Sequence, residues 1–196
     1  MEAWTIPTLI LLCCVFAPPL AAWEGVDQLV DLSSDAWLIQ PGKRIGKIRL
    51  GEQESNVLTQ IGMPKAGSAR EGDVAMGRKW ICWVGNSGHE LDVYTVRGAN
   101  DSAAHPEQFV RQVRIESPSF HTSSGIRVGT ALASIHEKLT SVPVSNRSLR
   151  LFDNTRDGIA FELKKDARNQ WRCAAIVIHP KNTGVLNEYN PFRNYD

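Results

Sequence analysis

Two spacings of apolar residues alternate along the chain. The first is helical and occurs twice. In "IRLGEQESNVLTQIGMP" (48–64), Val57 and Ile61 stand four apart behind Gly51 and ahead of Pro64. In "IRVGTALASIHEKLTSVP" (126–143), Leu132, Ile135 and Leu139 follow Gly129 and precede Pro143. Spacings of three and four gather apolar groups on one face of a short helix. The glycine permits a sharp entry, Thr130 is placed to cap, and the prolines stop the run. The second spacing is two. It marks "RKWICWVG" (78–85), "HELDVYTVRG" (89–98) and "FVRQVRIE" (109–116), then "SLRLFD" (148–153), "GIAFELKK" (158–165) and "RCAAIVIH" (172–179). Alternation puts Leu91/Val93, Phe109/Val113/Ile115, Leu149/Leu151 and Ile159/Phe161/Leu163 on buried faces. "GNSG" and "DNTRDG" suit hairpin turns between successive strands.

These patterns predict an α+β protein of two tandem repeats, each a short helical element packed on an antiparallel β-meander. The first repeat spans 23–116 and the second, with a C-terminal tail, 117–196. A helical element around Val26 to Leu32 precedes the first. Gly51 is expected to superpose on Gly129, and Val57 on Ile135.

The repeat also accounts for "PGKRIGKIRLG" (41–51), which nearly spells a phosphate-binding loop. Only three residues separate Gly42 from Gly46-Lys47, where the P-loop needs four, and Ile48 stands where a hydroxyl should ligate magnesium. An apolar side chain cannot do so.

Residues 1–22 read as a cleaved signal peptide: an apolar run from Ile6 to Phe16, two prolines, then Ala21-Ala22. That run is short for a bilayer span, so no membrane span is expected after cleavage. The protein is therefore expected to be secreted or periplasmic. Export leaves Cys82 and Cys173 in an oxidising compartment, where they form one disulfide or remain two buried thiols. The expected state is the single Cys82–Cys173 disulfide. With 42% hydrophobic residues, 22% charged residues and a net charge of +1, nothing favours nucleic acid as a partner.

The two helical signatures and the strand order resemble bacterial exported proteins with β-lactamase-inhibitory-protein-like repeats. The helix-plus-"IGMP" portion also looks like the small lipoprotein of the outer-membrane barrel-assembly machinery. The resemblance implies a helix-on-meander fold and a role in binding another protein. It transfers no interface residue.

Catalytic constellations are missing. The five histidines show neither zinc-binding nor hydrolase spacing. "FHTSSG" (120–125) reads as a polar turn rather than a nucleophile site. No enzyme activity, cofactor or metal is implied. The expected function is non-catalytic binding of an extracytoplasmic protein, inhibition being one form of it, with an envelope-assembly or structural role as the alternative. Alternation places Tyr94, Gln112, Arg114, Arg150, Phe152, Glu162 and Lys164 on the uncovered sheet face. Tyr94, Arg114, Arg150 and Phe152 form the expected partner-binding centre, since aromatic rings and arginines dominate interface hot spots.

Overall fold

A computed structural model of the chain describes residues 34–64, 77–98, 107–135, 138–143 and 148–185. The expected signal peptide and the helical element expected around Val26 to Leu32 lie outside them.

All six period-two segments are strands: β4 (Arg78–Val84), β5 (Glu90–Arg97) and β6 (Gln108–Ile115), then β9 (Leu149–Asn154), β10 (Ile159–Lys165) and β11 (Trp171–Ile178). With β8 (Thr140–Val142) they form one seven-stranded sheet in the order β4-β5-β6-β11-β10-β9-β8. Each trio is a meander, and the two meet at their last strands, antiparallel, with Ile115 opposite Ile176 and Val113 opposite Ile178.

The motif at 41–51 builds a second, smaller sheet. Strands β1 (Leu38–Gln40), β2 (Arg44–Ile45) and β3 (Ile48–Arg49) form a miniature meander, and β7 (His121–Thr122) joins β1 in parallel. One of the motif's four basic residues points inward: Arg44 donates to the carbonyls of Gly46 (2.7 Å) and Asp35 (3.1 Å). Gly42 and Gly46 take positive φ in the two tight turns. A turn at each end of β2 is what the glycines serve, and no phosphate cradle is formed.

The repeat expectation needs correction. One α-helix, α1 (Glu54–Ile61), is present among the described residues, where the sequence predicts two. Among its described residues, the second signature gives a short 3₁₀ turn, Leu132–Ser134, and then strand β8. Thr140 to Val142 pair with β9, and that pairing requires extended backbone where the helix would have continued. The chain is mostly β and is not a repeat of a helix packed on a meander. What recurs is smaller. Gly51 N–H donates to Val110 O (2.7 Å) and Val110 N–H to Glu52 O (2.8 Å). Gly129 N–H donates to Cys173 O (2.8 Å) and Cys173 N–H to Thr130 O (2.8 Å). Each "IR-x-G" stretch is thus a turn stitched to the third strand of a meander.

The main core fills the space between the large sheet and its cover. Ile81, Trp83, Val93, Val113, Phe161 and Ile176 face Val57 and Ile61 of α1 and Ile39, Ile45 and Ile48 of the small sheet. Ile135 joins it, with Leu132 and Leu139 packed alongside, so the second signature is buried as its apolar spacing requires without being helical. On the other sheet face, Leu151, Ala160, Val177 and Val185 make a smaller cluster.

The expected Cys82–Cys173 disulfide is absent: both are buried thiols with no bridge between them. Cys82, opposite Asp92, lies across the sheet from the main core, to which Cys173 belongs. Three strand spacings also separate β4 from β11, or about 14 Å, and a bridge needs Cα atoms within about 7 Å. Burial, followed by the nearby Glu162 charge, pushes the Cys173 thiol up to about 12. It remains protonated and unreactive while the sheet is intact.

Candidate functional site

The structure does not bring the four expected contact residues together. Arg114 is fully buried on the sheet face opposite α1. Its Nε and Nη2 donate to the two oxygens of Glu162, each at 2.7 Å. Nη1 reaches Asp92 Oδ2 at 3.1 Å and Nη2 reaches Glu116 Oε1 at 2.6 Å. This bidentate pair links the two meanders across β11 and serves the fold. Tyr94 is on the same face but buried, edge-on to Trp80 with ring centroids 5.2 Å apart. Burial raises its pKa, against the opposing charges of Arg78 and Arg111. Gln112 and Glu162, also expected on an open face, are buried there.

Phe152 and Arg150 are on the other face. Phe152 is paired with Phe161 and packs against the main core; Arg150 is paired with Leu163 and is exposed. The alternation expected for β9 was out by one residue, which exchanges its faces: Leu151 sits opposite Glu162, away from the main core. A bulge in β6, where Arg111 is the extra residue opposite the Tyr94–Thr95 step of β5, similarly puts Val110, not Phe109, in the core.

Among the described residues, one cluster of potential ligands is close enough to consider as a metal site. Ligand atoms of Cys82, Glu90 and Asp92 lie within 4.8 Å of one another. Arg114 Nη1 is 3.1 Å from Asp92 and 3.9 Å from Glu90, so a guanidinium already supplies the positive charge there.

Arg150 does belong to a surface site, with different companions. At the open end of β9, β10 and β11, a groove of about 440 Å³ is lined by Ser148, Arg150, Lys164, Lys165 and Trp171. The Arg150 guanidinium carbon sits 4.3 Å from the centroid of the Trp171 ring, and Lys165 Nζ is 5.5 Å from it. Trp171 is half-buried and rests on the main core, so the ring is a fixed platform. Lys165 is paired with Trp171 across the β10–β11 hairpin. Asp166, the carboxylate of that hairpin turn, is already engaged: Arg172 Nε donates to it at 2.6 Å, and the N–H groups of Arg168 and Gln170 bind its other oxygen. Those contacts, Arg172 first, hold its pKa below the usual value. Among the described residues, Arg150, Lys164 and Lys165 have no ion-pair partner.

Sequence reasoning selected Arg150 but missed Trp171 and Lys165. The available signal was the basic run "KKDARNQWR" (164–172), but its meaning depends on hairpin register.

A buried His–Asp pair stands elsewhere. His179 Nε2 is 2.9 Å from Asp153 Oδ1, and Nδ1 is 3.1 Å from Pro180 O. Both ring nitrogens are engaged and both residues are buried, so the pair lacks the exposed imidazole of a general base. Asp153 Oδ2 also accepts from Val185 N–H at 3.0 Å and Thr155 Oγ1 at 3.1 Å, tying segment 180–185 to β9. Burial is the largest influence on Asp153 and raises its pKa, but His179, Val185 and Thr155 outweigh it and the net direction is down. A depressed carboxylate stabilises the fold above its unfolded pKa and loses that contribution as pH falls through the folded one. Stability should therefore decline below about pH 4. Asp153→Asn should flatten that acid limb, as read by urea midpoints from pH 6 to pH 2; an unchanged limb would assign it to other carboxylates.

The stretch "FHTSSG" is a turn. Thr122 Oγ1 contacts Ser124 Oγ at 2.9 Å and accepts from Ile126 N–H at 3.0 Å, while His121 Nδ1 contacts Thr122 O. Its hydroxyls organise backbone, as the polar-turn reading requires.

No family model matches the chain, and no curated protein matches it. Among solved structures it is similar to "the uncharacterized protein yfeY from Escherichia coli", at 11% identity over 60% of this chain and 94% of that one. The TM-score is 0.32, too low to carry an argument about fold or role.

Proposed function

We propose that this protein is a non-catalytic exported binding module, and that it engages an anionic protein partner through the groove around Trp171. Inhibition of an extracytoplasmic protein is one form that role can take. The observation behind this reading is the state of Arg150, Lys164 and Lys165: three cations with no ion pair among the described residues, two of them held against an aromatic ring. A solvated surface lysine needs no such platform. A ring packed on the core restricts the cations above it, which reduces the ordering cost when a ligand binds. A groove of about 440 Å³ suits a few side chains or a short segment rather than a broad flat interface.

The test is capture from the exported and envelope fractions of cells that make the protein. Wild-type protein should retain a specific partner, and the Arg150→Glu/Lys165→Glu variant should lose it while keeping its thermal midpoint within a few degrees. Equal capture by the two proteins would remove the groove from the reading.

A further inference from the structure

Resting on that reading, we infer that the groove's ligand is an acidic peptide segment, with at least two carboxylates presented by a flexible chain. The distribution of the cations argues for this. Arg150, Lys165 and Trp171 share one face of the sheet end, as the pairs Leu163–Arg150 and Lys165–Trp171 require. Lys164, one residue along β10 and opposite Leu149, belongs to the other face. Positive charge therefore wraps around the end of the sheet rather than converging on one point. A single tetrahedral anion is held by converging donors, commonly backbone N–H groups at a helix start or in a nest. Among the described residues no helix begins at this groove, and Arg150, Lys164, Lys165 and Trp171 line it with side chains of three adjacent strands, beside Ser148. Only a ligand with several separated charges reaches all three cations.

The donor chemistry favours carboxylate for the main contact. Arg150 makes no hydrogen bond or ion pair among the described residues, so its N–H fork is unspent. A guanidinium fork matches the two oxygens of a carboxylate, and stacking on an aromatic ring leaves its edge available. On the same hairpin another arginine, Arg172, holds the Asp166 carboxylate through Nε alone, at 2.6 Å. That pair also removes the nearest carboxylate from competition. The lysines add charge without demanding geometry, which suits a chain whose acidic groups vary in spacing.

The experiment is an amide-shift titration of the ¹⁵N-labelled protein with a capped peptide of alternating Glu and Gly. Its Gln counterpart, inorganic phosphate and a sulfated oligosaccharide serve as comparison probes. The acidic peptide should shift Arg150, Lys164, Lys165 and the Trp171 indole, and the Gln peptide should not. Raising salt from 0.05 to 0.5 M should weaken binding by about tenfold, since exposed charges are strongly screened. Arg150→Glu/Lys165→Glu should weaken it at least about tenfold while the spectrum stays dispersed. Should phosphate or the oligosaccharide shift these residues while the peptide does not, the carboxylate assignment falls and the anion-binding groove stands. Silence from every anionic probe overturns the acidic-peptide inference, and the capture comparison then decides the groove separately.

Discussion

Gly158→Ala should leave little folded protein. Gly158 has φ +75°, and a Cβ placed there would lie 2.3 Å from the His179 carbonyl oxygen and 2.9 Å from the Gly42 Cα. Both obstacles are backbone. The glycine sits where the β9–β10 turn, the end of β11 and the small sheet meet: Gly42 N–H and His179 N–H both donate to its carbonyl, at 3.0 and 3.1 Å. A methyl group cannot be accommodated by rotating a side chain, so two sheets must separate. The cost should exceed about 4 kcal/mol, a large part of the stability of an ordinary domain. Gly88→Ala is the control. Gly88 has φ +79° but open space around the Cβ position, so only backbone strain of about 1–2 kcal/mol applies. Urea unfolding followed by tryptophan fluorescence compares the two, and equal losses would show that the clash relaxes at no cost.

Arg114→Met should be the second severe lesion, at about 3–5 kcal/mol. The guanidinium is fully buried among Glu162, Asp92 and Glu116. Methionine matches much of its length but leaves those carboxylates with less positive charge to face. The pairing predicts a sign as well as a size. Arg114→Met/Glu162→Gln should recover part of the loss, because the second change removes a charge that the first exposes. If the double variant is as unstable as the sum of the two single ones, the bidentate contact contributes little.

Much of the large sheet was legible because its strands are long and alternate cleanly. Ile159, Phe161 and Leu163 could face only one way, and they do. Helix α1 was equally plain, since Val57 and Ile61 share a face and Pro64 stops the run. The small sheet was not legible: strands of two and three residues are too short to display a period. The second helix failed for another reason. The spacing of Leu132, Ile135 and Leu139 reports burial, which is correct, but Thr140 to Val142 gain more from pairing with β9 than from extending a helix.

The candidate site divides in the same way. Arg150 could be nominated from residue type alone, whereas its contact with Trp171 depends on which residues face each other across β9, β10 and β11. "LRLF" permits two registers with apolar residues inward, and neither composition nor period chooses between Leu151 and Phe152. The structure chooses Phe152. Arg114 misled for an opposite reason: arginine is ordinarily a surface residue, and only its four carboxylate neighbours, three of them from other strands, make its burial tolerable.

The joint between β6 and β11 has a consequence for how the chain is made. Each meander can assemble from neighbours as it is synthesised, because its strands are joined by near-adjacent connections. The sheet's centre cannot. Ile115 is translated long before Ile176, its partner, and until β11 arrives β6 presents an unpaired backbone edge with Val113 and Ile115 beside it. An apolar strand edge held open while residues 116–176 are synthesised is a place for a holding chaperone to bind and for two nascent copies to pair wrongly. The slow step of folding is expected to be the docking of two preformed halves, with β11 as the latch that ends the vulnerable interval.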